Sequence, residues 1–305
     1  MTKIDIISGF LGAGKTTFAN ILLNYYINNN EKAVYIVNEF GQKGLDGKII
    51  SSNGFQAIEM QNGCVCCSLK NDVTTTIKEV IESFSPSRIV FEPSGIFVFE
   101  NFLDIIKEDS LRSICEIGSV ITIVDSVNFL SSKAKYGSFI YNQIKNSPCI
   151  ILSKIEKSKN RIDEIICDIK NINHDCYIFA ESYNMLNSDA IGYILDNSSL
   201  NNISDINTQN IKHKSFKTLT IKLKREYKMP ELEEFAKKCI NGILGDIVRV
   251  KGIINIAGKL KILNIALKDI SIDTYRGVGE QSLTFIGEAI NVVEIYKSIS
   301  LKHSQ

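Results

Sequence analysis

Four short clusters in the 305-residue chain hold residue types and spacings with chemistry to do. The first, Gly9-Phe10-Leu11-Gly12-Ala13-Gly14-Lys15-Thr16, has the spacing G-x-x-x-x-G-K-[ST] between an apolar stretch and an amphipathic one. Successive backbone N–H groups in such a turn, opening a helix, hold phosphate oxygens because unpaired donors and the helix dipole favour anions. Lys15 is placed for the β- and γ-phosphates and the Thr16 hydroxyl for Mg²⁺, with Gly9, Gly12, Ala13, Gly14 and Thr17 completing the cradle. These residues predict binding of a nucleoside triphosphate. The second cluster, Glu92-Pro93-Ser94-Gly95, ends an apolar run. Its carboxylate can hold Mg²⁺ directly or through water, and the Gly95 N–H can approach a γ-phosphate with no Cβ in the way. Lys15 and Glu92 are the expected catalytic residues, and no side chain stands out as the one that positions water. Asn38-Glu39-Phe40-Gly41, with Asp46 beyond it, is the natural first switch segment. Glu39 or Asp46 completes the metal shell, and the spacing does not choose between them. The third cluster, Ser153-Lys154-Ile155-Glu156, ends another apolar run and is the base-reading candidate. A carboxylate at Glu156 accepts from two guanine N–H donors, whereas adenine offers no such pair, so GTP is favoured. Ser153 cannot supply both functions of an asparagine amide at that position.

The fourth cluster is Cys64-Val65-Cys66-Cys67. In an extended segment Cys64 and Cys66 point to one side, and a turn at the start of the following helix can bring Cys67 in. A helix N-terminus lowers a thiol pKa and favours the metal-binding thiolate. Soft thiolates suit Zn²⁺ or Co²⁺; three of them leave a fourth tetrahedral position for water, a partner or a second copy of the loop. Redox chemistry is the rival reading. The other five cysteines, Cys115, Cys149, Cys167, Cys176 and Cys239, are spread singly and read as small buried hydrophobes.

These clusters need elements to hold them. Short Ile/Val-rich strands are predicted at Lys3–Ser8, Ala33–Asn38, Arg88–Glu92, Val120–Asp125, Pro148–Ser153 and Cys176–Ala180. Helices are predicted at Lys15–Asn29, Leu69–Phe84, Phe97–Glu108, Gly137–Asn146 and Ser158–Ile169. Near-continuous apolar strands alternating with helices indicate a doubly wound, mostly parallel α/β sheet. Residues 1–197 form this domain, and the polar stretch 198–214 reads as a linker. Residues 215–305 change character, with strands at Phe216–Lys224, Ile247–Ala257, Lys259–Ala266, Ile270–Tyr275 and Ser282–Gly287. Helices at Pro230–Asn241 and Asn291–Ile299 make this a small α+β domain, and Lys217–Lys224 reads as a solvated face. With 44% hydrophobic and 23% charged residues the composition is globular. A net charge of +1 gives no reason to expect nucleic acid, and no apolar run reaches the ~18–20 residues of a membrane span. Met1-Thr2-Lys3 leads straight into a strand without a signal-peptide pattern, so the expected location is cytoplasmic.

Taken together, Ser8–Thr17, Asn38–Gly41 with Asp46, Gly63–Cys67, Glu92–Gly95, Val124-Asp125 and Ser153–Glu156 resemble the CobW-like family of P-loop GTPases. That family is related to the hydrogenase and urease nickel-insertion GTPases. Val248–Gly252 and Thr284–Gly287 look like its C-terminal module, so the likeness covers nearly the whole chain. The resemblance implies a P-loop NTPase fold and a GTP-hydrolysing metallochaperone. Mg·GTP would order the switches and assemble the thiolate site, hydrolysis would release Zn²⁺ or Co²⁺ to a client protein, and a homodimer is an open option. The chain departs from the family pattern at Gln42, where Glu is common, and at Ser153-Lys154-Ile155-Glu156. It also lacks a His-rich stretch, having only His174, His213 and His303. Two rivals remain: a nucleotide-dependent interaction switch with structural cysteines, and a small-molecule kinase using the same phosphate loop.

Overall fold

The computed structural model describes residues 1–38, 56–59, 69–96, 99–200, 216–275 and 279–300. The first unit alternates strands and helices in chain order. It begins with β1 (Thr2–Gly9), α1 (Lys15–Asn28), β2 (Ala33–Val37), β3 (Gln56–Glu59) and α2 (Leu69–Phe84). There follow β4 (Arg88–Glu92), α3 (Phe99–Ile106), the single turn α4 (Asp109–Arg112), β5 (Cys115–Asp125) and α5 (Phe129–Lys145). The unit closes with β6 (Cys149–Ser153), α6 (Ile162–Ile172), β7 (Tyr177–Phe179) and α7 (Ser188–Asp196). Among the described residues these strands form one seven-stranded parallel sheet in the order β3-β2-β4-β1-β5-β6-β7. All strand C-termini therefore lie along one edge, where a doubly wound sheet presents its binding crevice.

Period-two alternation explains why the strands are apolar throughout. Tyr35 and Val37 pack with Phe18, Leu22 and Ile191 under α1 and α7. Val34 and Ile36 face the opposite side with Ile77 of α2 and Phe102 of α3. Each face is covered by helices, so neither can be polar.

The predicted strands all form, and β4 occupies the predicted bounds. Other bounds differ: β5 starts at Cys115, five residues early, α3 ends at Ile106, two residues early, and the two-residue strand Glu226–Tyr227 was not predicted. β3 has only four residues, Gln56-Ala57-Ile58-Glu59, too few to declare a period. α5 starts at Phe129 instead of Gly137 and carries a non-helical residue, Tyr136 (φ −122°, ψ 32°), so the expected helix is its second segment. The break sits directly before Gly137-Ser138, a pair of the kind that kinks helices. α6 starts four residues late because 3₁₀ turns at Ile155–Lys157 and Lys159–Arg161 precede it. α7 was not anticipated, although Asn187 caps it in the ordinary way by accepting from the Ala190 N–H at 2.9 Å. At the start of the expected linker, Ser198 is fully buried and its carbonyl accepts from the Val120 N–H at 2.8 Å. Residues 201–214 lie outside the described residues.

From Phe216 a second compact unit follows. It comprises β8 (Lys217–Lys222), β9 (Glu226–Tyr227), α8 (Met229–Ile240), β10 (Gly245–Ile256), β11 (Lys259–Ala266), β12 (Asp269–Thr274), β13 (Ser282–Ile290) and α9 (Val292–Ser300). The sheet order is β12-β11-β10-β13-β8, antiparallel, with β9 added parallel to β10. Pro230 sits in the first turn of α8, and the Glu231 carboxylate accepts from the Lys228 N–H at 2.7 Å. Phe235 of α8 meets Phe285 of β13 edge-on, centroids 6.1 Å apart, at the centre of this core. On β8, Lys217 and Lys222 are exposed.

Back in the first unit, a charge is buried under α1. Asp5 of β1 is fully buried, accepts from the Tyr26 hydroxyl at 2.8 Å, and lies 3.5 Å from Arg88, which also pairs with Glu31 at 2.9 Å. Burial outweighs the Arg88 charge and the hydrogen bonds, raising the Asp5 pKa to about 6. The unfolded chain releases this proton near pH 4 and the folded chain near pH 6. The carboxyl's stabilising contribution is therefore complete below pH 4 and is lost as pH rises to 6, by about 2–3 kcal/mol. Asp5→Asn keeps an acceptor for Tyr26 and abolishes the titration. Its stability, followed by urea unfolding, is expected to lose that decline between pH 4 and 6 and to match or exceed wild type at pH 7. An unchanged pH profile would refute the assignment.

Candidate nucleotide site

The phosphate loop leaves β1 at Gly9 and enters α1 at Lys15. Its three glycines have φ of 141°, 77° and 97° at Gly9, Gly12 and Gly14, a region where a side chain is strained. Gly14 is the N-cap of α1, and no acid occupies the first turn. The first-turn N–H groups and the positive end of the helix dipole therefore face the loop without a competing carboxylate on the helix. Lys15 is 4% exposed, and its ammonium folds back over the loop to donate to the Phe10 carbonyl at 3.4 Å. A buried cation at the mouth of such a turn suits a polyanion.

Glu92 ends β4 next to this loop. It is 5% exposed and accepts from the Thr16 hydroxyl at 3.1 Å and from the Tyr35 hydroxyl at 2.5 Å. The sequence points Thr16 and Glu92 each toward Mg²⁺, whereas Tyr35 stands among apolar residues of β2 with nothing to mark it. Gly95 lies against the loop. A Cβ there would stand 2.5 Å from the Leu11 nitrogen, and its carbonyl accepts from Gln143 of α5 at 3.1 Å. Tyr136, at the break in α5, stacks on Phe10 with centroids 5.1 Å apart.

At the other side of the loop, β6 delivers the base-reading segment. The Ser153 hydroxyl, 2.6 Å from the Ala13 carbonyl, donates to it and ties β6 to the phosphate loop. Lys154 takes a left-handed conformation (φ 57°), and its ammonium pairs with Asp125 at 2.7 Å. Asp125 in turn accepts from the N–H groups of Val127 and Asn128, at 2.9 and 3.2 Å, which close the turn into α5. Glu156 is exposed, and the Ser182 hydroxyl donates to it. That bond holds its pKa below the usual glutamate value, so the carboxylate stays an acceptor. A cleft of about 210 Å³ opens between these groups. Its lining includes Ala13, Gly14 and Thr17 of the loop and α1, Ser153, Lys154 and Glu156 at the end of β6, and Glu181 and Tyr183 beyond β7. Burial, then the charge of Asp125, raises the Tyr183 pKa above that of an ordinary phenol, so the hydroxyl keeps its proton.

Residues 3–180 match the family model described as CobW/HypB/UreG, nucleotide-binding domain. The chain belongs to the CobW/HypB/UreG family. It is 28% identical over 158 residues to the zinc chaperone YeiR of Escherichia coli, covering 52% of this chain and 48% of YeiR. It is 36% identical over 129 residues to the zinc chaperone CobW of a Sinorhizobium species, covering 40% and 36% of the two chains. A third relative, zinc-regulated GTPase metalloprotein activator 1 of Dictyostelium discoideum, is 28% identical over 210 residues, 56% of this chain and 43% of that protein. The matched stretches thus span less than half the length of these relatives. A crystal structure of Zn(II)-bound YjiA GTPase from E. coli aligns over 98% of both chains at 17% identity with a TM-score of 0.47.

In this CobW-family chain the expected nucleotide residues Gly9, Gly12, Ala13, Gly14, Lys15, Thr16 and Thr17 lie on the loop and first turn of α1, with Glu92 and Gly95 beside them. Lys154 and Glu156 line the cleft next to them. The metal candidates Glu39, Asp46, Cys64, Cys66 and Cys67 lie outside the described residues. Among the described residues no three His, Cys, Asp or Glu side chains are grouped to hold a metal. Of the single cysteines, Cys115, Cys149, Cys176 and Cys239 are buried, whereas Cys167 is exposed, contrary to the expectation of burial. Burial pushes the Cys115 and Cys176 thiols up to about 11 and Cys239 to about 12, so they remain protonated at neutral pH. No helix among the described residues is long and apolar enough to cross a membrane. Tyr183 lines the cleft, and Asp125 and Ser182 hold its Lys154 and Glu156; isolated Ser and Tyr residues carry no spacing signal that would mark them in the sequence.

The Gly95–Leu11 approach gives a direct test. Gly95→Ala must displace loop backbone, since the added Cβ would also lie 2.8 Å from the Leu11 Cα. Affinity for a non-hydrolysable GTP analogue, measured by calorimetry, is expected to fall tenfold or more. Unchanged affinity would show that the loop shifts freely.

Proposed function

We propose that this chain is a GTP-hydrolysing metallochaperone that carries Zn²⁺ or Co²⁺ on Cys64, Cys66 and Cys67 and releases it to a client protein. The observation that carries the reading is the contact between Thr16 and Glu92, which ties the phosphate loop to the end of β4. β4 pairs with β2, and β2 with β3. In sequence the cysteines stand between the end of β3 at Glu59 and the start of α2 at Leu69. A change at the γ-phosphate therefore has a short covalent and hydrogen-bonded route to the thiolates. Thr16 and Glu92 are two hard oxygen donors side by side, a fit for Mg²⁺, which when bound neutralises charge on the phosphates.

In the proposed cycle Lys15 and the first-turn N–H groups orient the β- and γ-phosphates, and Gly95 donates its N–H to the γ-phosphate. Glu156 accepts from the guanine N–H pair while the Lys154 stem covers the base. Glu39 or Asp46 completes the metal shell. Loss of the γ-phosphate frees Gly95 and, through the switch segments, loosens the thiolate site. The fourth ligand of the carried ion comes from water, the client or a second copy of the chain. The names of the curated relatives, two zinc chaperones and a zinc-regulated GTPase, support zinc as cargo and GTP as fuel. On this reading residues 1–197 form the GTPase domain, 198–214 the linker and 215–305 the client-facing module, working in the cytoplasm.

Metal affinity under different nucleotides tests the coupling, because two ligands favouring one state tighten each other by the same factor. Anaerobic titration of Zn²⁺ and Co²⁺ against a chelating indicator is expected to show tenfold or greater tightening with Mg²⁺ and a GTP analogue. GDP and an ATP analogue should give none, and Cys66→Ser should abolish the gain. Equal metal affinity under every nucleotide would replace the metallochaperone with a nucleotide-dependent interaction switch whose cysteines only brace the loop.

A further inference from the structure

Tyr35 is the odd residue of β2. Its neighbours Val34, Ile36 and Val37 are aliphatic, yet this side chain carries a hydroxyl into the core and is completely buried. Tyr35 stands opposite Val90 of β4, and Val37 stands opposite Glu92. Period two puts Val90 and Glu92 on the same face of β4, the face that α1 covers. The Tyr35 ring packs in that layer with Phe18 and Leu22 of α1, leaning along the strand toward the edge where the strands end. Its hydroxyl donates to the Oε2 atom of Glu92, while the Thr16 hydroxyl donates to Oε1.

One carboxylate is thus held at each oxygen by a different element. The last torsion of a glutamate side chain is broad and two-fold, so a rotamer alone does not fix where each oxygen points. Here packing fixes the ring, the ring fixes the hydroxyl, and the hydroxyl fixes Oε2. Oε1 is left facing Thr16.

Resting on the reading of Thr16 and Glu92 as the Mg²⁺ site, we infer that Tyr35 is a positioning residue for that metal and acts through Glu92. Its hydroxyl sets the plane of the carboxylate before Mg²⁺ arrives with the triphosphate. A carboxylate free to turn would have to be ordered at that moment, and metal affinity would fall accordingly. A phenylalanine would fill the same space in the core; the hydroxyl is the part that packing does not use.

The test is the gain in nucleotide affinity that Mg²⁺ confers, which separates the metal from the nucleotide's own contacts. Calorimetry with a non-hydrolysable GTP analogue, in saturating Mg²⁺ and in EDTA, is expected to show about tenfold or greater tightening by Mg²⁺ in the wild-type chain. Tyr35→Phe should keep the affinity in EDTA, which also reports that the variant is folded. It should lose about 3- to 10-fold of the Mg²⁺ gain. Mn²⁺ in place of Mg²⁺, followed by electron paramagnetic resonance, should bind the complex with the GTP analogue more weakly by the same factor. A Tyr35→Phe chain with the full Mg²⁺ gain overturns the inference and leaves the metal site standing. Equal weakening with and without Mg²⁺ would make Tyr35 a packing residue and also overturn it. A wild-type chain that binds the analogue equally in Mg²⁺ and in EDTA sinks the metal reading itself, and the inference with it.

Discussion

A carboxylate taken out of water must be met by donors, and Glu92 is met by two hydroxyls from different elements. Thr16 comes from the first turn of α1, Tyr35 from the middle of β2, and the carboxylate itself from the last residue of β4. The two hydroxyls converge on one buried carboxyl and so hold the three elements in one register. That register is the parallel pairing of β2 with β4, in which Val37 stands opposite Glu92. The loop's far side is fixed independently, by a serine 140 residues away in sequence. A glycine-rich turn that would otherwise sample many conformations is thus pinned from both flanks, which lowers the entropy a phosphate must remove on binding.

The parts legible in the sequence were those written in short range. The phosphate loop, the core strands and α2 each declare themselves through contiguous spacing, and β4 and α2 have the expected bounds. Glu92 was legible because it ends an apolar run three residues before a glycine. Tyr35 was not, because an aromatic in a buried strand looks like packing until its hydroxyl is seen to end on Glu92. Tyr183 and Ser182 were hidden for a related reason: they reach the cleft through a 3₁₀ turn at Tyr183–Met185 that has no sequence periodicity. The start of α5 was misplaced because Ser131-Ser132 and Gly137 dilute its pattern, while the turn that launches it is set by Asp125 through backbone contacts.

If the cleft holds a purine as proposed, its β6 side shows how a serine at position 153 redistributes tasks. Serine at position 153 keeps the brace to the loop and gives up the reach of an amide. Lys154 is held by Asp125, and Asp125 is held by backbone N–H groups, so this wall is rigid before any nucleotide arrives. Glu156, by contrast, stands in solvent, kept ionised by a serine hydroxyl. On the proposed reading, a rigid wall facing an exposed acceptor favours easy entry and exit of the base, with affinity drawn mainly from the phosphates.

The break in α5 divides one helix into two bearings. The segment before it ends at Tyr136 against Phe10 of the phosphate loop; the segment after it carries Gln143 to the Gly95 carbonyl. An unbroken helix would be a rod, forcing any displacement of the Gly95 turn to be felt at once by the loop. The break between the two contacts means that the two helix segments are not one rigid rod. If the chain cycles as proposed, the break uncouples the two contacts, and nucleotide release and switch relaxation become separate events in time.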